Sequence, residues 1–236
     1  TRSSSLPAWN SGSSDVQLTG QLEDENGAVI KVKISSRYTA RIDEKTISAT
    51  ELRWKIPVLS FLPNDMSIIE GSASFRRRLM DMVLVLIVPV YASRLHDFRR
   101  GIRQKTVILR NGGRTDLIDR ALLPLASWIW KMREEALAMI SECMRDMCDL
   151  LPCPVELSLS RGGAGSASSP EEDFRYSIKI NGRKEEALKV PVVGPHRDDM
   201  LILSKGEPAA LTLSRGYRRR VAIALILSAA EGVRRK

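Results

Sequence analysis

"LTLSRGYRRRVAIALIL", residues 211–227, sets a small flexible motif and a block of positive charge against an apolar run. Ser214 and Gly216 stand among Arg215, Arg218, Arg219 and Arg220, and from Val221 the segment is purely apolar. A helix begins here. Serine is a preferred N-cap because its hydroxyl accepts from an orphan N–H of the first turn, and the apolar run makes the helix a buried one. The macrodipole is positive at that end, so arginines there are opposed by it. The same end binds phosphate through its free N–H groups, and glycine lets a ligand approach the backbone. Two readings follow: an anion site, or a serine cap with solvated arginines. The segment alone leaves both open.

The surrounding charge favours an anionic partner. The chain has 236 residues and a formal net charge of +9. Two segments hold the excess: residues 74–110 carry a net +7 and residues 205–236 a net +6. Such a balance points to nucleic acid, a nucleotide or a membrane surface. No segment reaches the ~18 apolar residues of a membrane span; the longest, 79–91, contains Asp81. No signal peptide is visible. The chain begins at Thr1 without a methionine, in a stretch that reads as the middle of something, so an excised fragment is expected. Cys143, Cys148 and Cys153 are spaced C-x4-C-x4-C without a nearby histidine. That spacing suits zinc poorly, and three buried small apolar residues are expected instead.

Elements are read from periodicity. Residues 15–58 alternate like strands, with a hairpin signal at Asn26-Gly27 and further short strands through Ile42, Ile47 and "IPVLSFL", residues 56–62. From Ser72 the pattern turns helical, with Ser72 or Ser74 as cap. Pro89 can open a second helix running to about Arg110, which Gly112-Gly113 ends. A third helix is expected from Asp116 to about Leu150, because Ile118, Leu122, Leu125, Ile129, Met132, Ala136, Met139, Cys143 and Met147 recur three or four apart; Pro124 should divide or kink it. Residues 151–160 return to strand. "RGGAGSASSPEED" is small and polar, a loop, and residues 174–213 read as strands and turns with no long helix. The final helix runs from about Tyr217 to Val233. A β-rich stretch, a helical block, a second β stretch and one helix make an α+β fold: a head with an inserted helical arm.

Two further clusters could carry chemistry. "VVGPHRDDM", residues 192–200, crowds His196, Arg197, Asp198 and Asp199 behind a Gly-Pro turn. It reads as a salt-bridged turn, or as a metal or acid–base site. Arg76, Arg77 and Arg78 cover most of one helical turn, so at least one must face solvent or an anion. His96, amid basic residues, reads as a surface position. No G-x-x-x-x-G-K-[ST] loop is present, and no apolar strand ends in paired carboxylates; a complete nucleotide hydrolase cannot be assembled from these residues.

Three stretches together resemble the RecF family of recombination-mediator ATPases, which are related to SMC and ABC-type ATPase heads. They are "LSFLPNDMSIIEGSASFRRRLMD" (residues 59–81), "VVGPHRDDM" with its intact GPHRDD, and "LTLSRGYRRRVAIAL", similar to the family's S-x-G-x-x-R signature. The opening "TRSSSLPAW" resembles the stretch that follows the phosphate-loop helix. The resemblance implies part of an ABC/SMC-type head with antiparallel β segments: 1–70 as β-rich head, 71–152 as helical arm, and 153–236 as return strands, GPHRDD turn and signature helix. The phosphate loop would precede this chain and the magnesium-holding strand would follow it. No catalytic or metal-binding residue is then expected in this chain alone, although the whole protein would be a slow DNA-dependent ATPase using ATP and Mg2+. Ser214, Gly216 and Arg219 would meet ATP held on the other subunit of an ATP-dependent homodimer. His196, Arg197, Asp198 and Asp199 would lie at the nucleotide or dimer interface. DNA would meet Arg76, Arg77, Arg78, Arg99, Arg100 and Arg103. Partners implied are gapped or junction DNA, RecR and RecO, in the cytoplasm. The other readings are a non-catalytic helical interaction module of another SMC-like ATPase, and a metal-dependent nuclease built on His196, Asp198 and Asp199.

Overall fold

The computed structural model describes residues 30–34, 38–42, 45–48, 51, 66–151, 153–165 and 169–236. The chain forms two compact units, Thr1–Val58 and Leu59–Lys236. In the first, β1 (Ile30–Ile34), β2 (Tyr38–Ile42) and β3 (Lys45–Ile47) form an antiparallel sheet in that order. Val32 pairs with Ala40, and Ala40 with Ile47. The strands expected through Ile42 and Ile47 are there; the Asn26-Gly27 hairpin, the strand expected at residues 56–62 and the opening nine residues lie outside the described residues.

The second unit starts with α1 (Ser67–Glu70), α2 (Ala73–Ile87), α3 (Tyr91–Arg110) and α4 (Asp116–Arg145). A 3-10 turn at Cys148–Leu150 leads into β4 (Val155–Ser160). Then come α5 (Pro170–Leu188), a 3-10 turn at Pro195–Arg197, β5 (Asp199–Ser204), β6 (Glu207–Pro208), α6 (Ala209–Thr212) and α7 (Arg215–Arg234). Strands β4, β5 and β6 make a second antiparallel sheet in which Leu157 pairs with Ile202. The fold is α+β, mostly helical. Among the described residues no helix is long and apolar enough to cross a membrane.

Two hydrophobic clusters organise this unit. One gathers Met80, Val83, Leu137, Ile140, Met200, Val221, Leu225 and Ala229 around β4–β5 and α7. The other gathers Tyr91, Phe98, Leu122, Ile129, Trp130 and Phe174 among α3, α4 and α5. Helix α4 contributes to both. Its 30 residues span about 45 Å at 1.5 Å per residue. Pro124 was expected to divide or kink it; the helix is not divided and continues through the proline. The proline is on the exposed side, where the carbonyl that loses its donor can turn to water.

Helix α5 overturns the expectation of strands and turns after the polar loop. Its start is well specified: Ser169 accepts from the Glu172 N–H at 3.2 Å, Pro170 opens the first turn, and Glu171, Glu172 and Asp173 suit the positive end. Its inward face is Asp173, Phe174, Ser177 and Glu185. Buried polar residues hide the helical period from a search for apolar ones. The cysteines also depart from expectation: Cys143 is buried, but Cys148 is exposed on the 3-10 turn, and Cys153 is half-buried beside Ser204.

Candidate functional site

Helix α7 begins as its sequence dictates. Ser214 is the N-cap, its Oγ accepting from the Tyr217 N–H at 3.4 Å. That contact uses a lone pair and leaves the hydroxyl proton free to donate. Ser214, Arg215, Gly216, Tyr217, Arg219 and Arg220 are exposed. A Cβ at Gly216 would meet nothing within 4 Å, so approach to this backbone is open. No acidic residue lies in the first turn. Arg218 reaches Glu70 at 2.9 Å and Arg220 donates to the Asp149 carbonyl at 2.8 Å. Among the described residues the side chains of Arg215 and Arg219 have no hydrogen bond or ion pair. From Val221 onward the helix fills the first cluster.

The GPHRDD turn is held from inside by Arg133. This residue is 2% exposed. Its Nη1 donates to the Pro195 carbonyl and to Asp198 Oδ2, both at 2.6 Å, and its Nη2 donates to Asp81 Oδ1 at 2.7 Å. Asp198 is fully buried and also accepts from Trp130 Nε1 and the Gly162 N–H, both at 2.7 Å. Asp81 accepts from the Tyr91 hydroxyl at 2.7 Å and from Arg99 at 3.0 Å. Burial raises the Tyr91 phenol, which stays a donor. The "RGG" of residues 161–163 wraps the turn: the Gly194 N–H donates to the Gly162 carbonyl at 2.7 Å. Gly194 has φ +126°, a conformation that needs glycine.

The other candidates are placed apart from one another. Asp199 is half-buried and gripped by Arg76, Nε to Oδ1 at 2.6 Å and Nη2 to Oδ2 at 2.8 Å. Arg77 donates to the Asp198 carbonyl. Thus Arg76 and Arg77, expected toward DNA, are engaged with the turn, while Arg78 is exposed. Arg99 is exposed yet paired to Asp81. Arg100 and Arg103 are exposed on α3, as is His96. Arg197 points outward and donates to the Pro191 carbonyl at 3.0 Å. His196 lies within contact of Phe98, ring centroids 5.9 Å apart, with Nε2 at 3.2 Å from the same carbonyl. The residues considered for a nuclease do not converge: Asp198 is enclosed by donors and Asp199 is held by Arg76. Among the described residues no group of three or more His, Cys, Asp or Glu could hold a metal ion.

Sequence reasoning missed Arg133, Trp130, Asp81 and Gly162, which assemble the turn. It also missed Lys105, 1% exposed, whose ammonium lies 2.7 Å from Asp119 Oδ1 and 2.5 Å from Glu185 Oε2. These are charge contacts and not aligned hydrogen bonds. Glu185 in turn accepts from the Val192 N–H at 2.7 Å and so anchors the segment entering the turn. A basic residue in the middle of a helix carries no local signal that it is buried.

The turn has an opposed pair of titrations. Burial lowers His196 from 6.5 to about 4, with Arg197, Lys105 and Arg77 adding to it against the Pro191 carbonyl. Burial raises Asp198 from 3.8 to about 6, against Arg133 and the surrounding donors. His196 is neutral in the fold but takes a proton when unfolded, so its contribution is lost as pH falls from 6.5 toward 4. Asp198 acts the other way, because the folded state takes the proton first between 6 and 3.8. His196→Gln should remove the first effect alone. In urea titrations between pH 7 and pH 4.5, its stability relative to the unaltered protein should rise on acidification, at full expression by on the order of 3 kcal/mol. A difference that stays flat would mean that His196 is solvated.

No family model matches the chain. The fold matches two structures of the recombination mediator protein RecF in the RecFOR pathway. One, with ATP, has a TM-score of 0.74 at 20% identity, over 86% of this chain and 59% of that one. The other, with ATPγS, has a TM-score of 0.76 at 22% identity, over 90% and 61%. The fold is therefore that of the matched part of those RecF structures. Curated relatives named DNA replication and repair protein RecF agree with it. That of Lachnoclostridium phytofermentans is 31% identical over 195 residues, 79% of this chain and 53% of the relative. That of Deinococcus radiodurans is 32% identical over 178 residues, 74% and 48%. That of Parasynechococcus marenigrum is 26% identical over 231 residues, 91% and 63%. The chain belongs to the RecF family, and it spans about half to three-fifths of the length of these relatives.

Proposed function

We propose that the chain is part of an ATP-dependent DNA-binding protein of recombinational repair and replication-fork maintenance, and that it supplies the half of an ATP site that acts across a dimer. The observation that carries this reading is the open start of α7. Ser214 keeps a free hydroxyl proton, Gly216 is uncrowded, and Arg215 and Arg219 stand without partners at a helix end that attracts phosphate. These groups suit a γ-phosphate presented by a second subunit. ATP and Mg2+ are the cofactors of the whole protein; bound ATP supplies the triphosphate that the two heads enclose. His196, Arg197, Asp198 and Asp199 belong to the turn beside this interface, with Asp198 shaping it from within. Arg78, Arg99, Arg100 and Arg103 are the exposed members of the DNA-facing set; Arg76 and Arg77 support it from behind. Gapped or junction DNA, RecR and RecO are the partners in this reading, and recombinase loading is its outcome. Within this chain the parts are taken as 1–70 (head), 71–152 (helical arm) and 153–236 (return strands, turn and signature helix), with α5 packed beside α4.

The test is Ser214→Arg in the full-length protein. The substituted residue adds bulk to a contact closed on both sides, and a symmetric dimer repeats the damage twice. ATP-driven dimerisation, followed by light scattering with a non-hydrolysable analogue, should be lost. Nucleotide affinity of the monomer should stay within about threefold, because the same subunit's own phosphate-binding groups hold most of the ligand. Normal dimerisation would reduce Ser214 to a helix cap. Lost affinity in the monomer would place the serine in the subunit's own site.

A further inference from the structure

The 194–199 turn and the start of α7 are joined by contacts that pass through α1. Arg76 holds both oxygens of Asp199. Its Nη1 donates in addition to the main-chain oxygens of Ile68, at 3.2 Å, and Gly71, at 2.8 Å. Those two carbonyls lie on either side of Glu70, whose carboxylate pairs with Arg218 at 2.9 Å. Arg218 lies in the first turn of α7, and its N–H donates to the Ser214 carbonyl at 2.9 Å. Ile68 and Ile69 are seated in the first hydrophobic cluster with Ala222 and Leu225 of α7. The apolar side of α1 is thus fixed, and its polar side carries a continuous link from Asp199 to the residues that follow Ser214.

We infer that Arg76 and Glu70 are positioning residues that make α1 a strut between the GPHRDD turn and the start of α7, so that the two move together. The inference rests on reading that start as the phosphate contact. A guanidinium that bonds a carboxylate with two nitrogens and the backbone with a third fixes orientation as well as distance. At the other end, Glu70 draws Arg218 aside and leaves Arg215 and Arg219 turned to solvent. The Glu70–Arg218 side chains are 39% and 27% exposed. A pair that wet contributes little to folding, so its removal should be felt in the geometry of α7 and not in stability.

The experiment uses the full-length protein and reads amide exchange over residues 217–221. Glu70→Gln should speed exchange there about three- to tenfold, and weaken dimerisation driven by a non-hydrolysable ATP analogue by a similar factor. Its Tm should stay within about 2 °C, and monomer ATP affinity should not change. Asp199→Asn, at the far end and bonded to Arg76, should speed exchange of the same amides. Exchanging the charges by Glu70→Arg with Arg218→Glu should restore slow exchange. Unchanged exchange in either single variant, a fall in Tm of Glu70→Gln beyond about 5 °C, or a failed restoration would each overturn the strut. If exchange responds as expected while neither Glu70→Gln nor Ser214→Arg alters dimerisation, the strut stands and the phosphate reading of α7 fails.

Discussion

Arg133→Met should lower the unfolding free energy of the 59–236 unit by about 3–5 kcal/mol, followed by urea denaturation with tryptophan fluorescence. Methionine keeps the length and volume of the stem, so little of the loss is packing. What disappears is the cation that three acceptors share: the Pro195 carbonyl, Asp198 and Asp81. Asp198 is fully buried and Asp81 is nearly so. Removing one partner of a buried pair leaves the other uncompensated, which is worse than removing both. Arg133→Lys should fall between, since a single ammonium nitrogen replaces the two guanidinium nitrogens that separately reach Asp198 and Asp81. Adding Asp198→Asn to Arg133→Met should recover part of the loss. The role given to Arg133 is wrong if Arg133→Met changes stability by less than 1 kcal/mol.

Gly162→Ala should cost about 2–5 kcal/mol, from overpacking and an unmade hydrogen bond together. A Cβ there would come within 2.4 Å of the Gly194 carbonyl oxygen, 2.5 Å of Arg197 Cβ and 2.9 Å of the Arg197 carbonyl carbon. Most of these are backbone atoms that cannot swing aside. The loop must leave the turn, and its bonds to the Gly194 N–H and to Asp198 go with it. Gly182→Ala is the control. It lies within α5 with nothing within 4 Å of the added carbon, and should be neutral or stabilising by up to about 1 kcal/mol. Similar melting of the two variants would show that the loop yields at no cost.

The sequence made some of this legible and hid the rest for physical reasons. Helix α7 could be read because cap, turn and apolar run are local. Helix α4 could be read because its stripe is long and apolar. Helix α5 could not, since Asp173, Ser177 and Glu185 face inward on it. The GPHRDD motif announced a crowded turn but not its orientation: Asp198 faces the interior and Arg197 faces out. Arg133 was invisible because its carboxylate partners are 52 and 65 residues away. Arg76, Arg77 and Arg78 were correctly seen as unable to share one environment, but only the fold shows that Arg78 is the exposed one.

Helix α4 serves two interiors with one unbroken spiral, and this restricts how the gene can change length. A helix turns about 100° per residue. One codon inserted between Trp130 and Leu137 would leave Leu122, Ile129 and Trp130 in place and swing Leu137, Ile140 and Met144 away from the core they fill. No nearby loop can absorb the error. Point substitutions along this stretch can be repaired by neighbours, but a single-codon insertion or deletion cannot. Length variation among related genes should therefore collect at the turns flanking α4, around Gly112-Gly113 and residues 146–154, and be nearly absent between them.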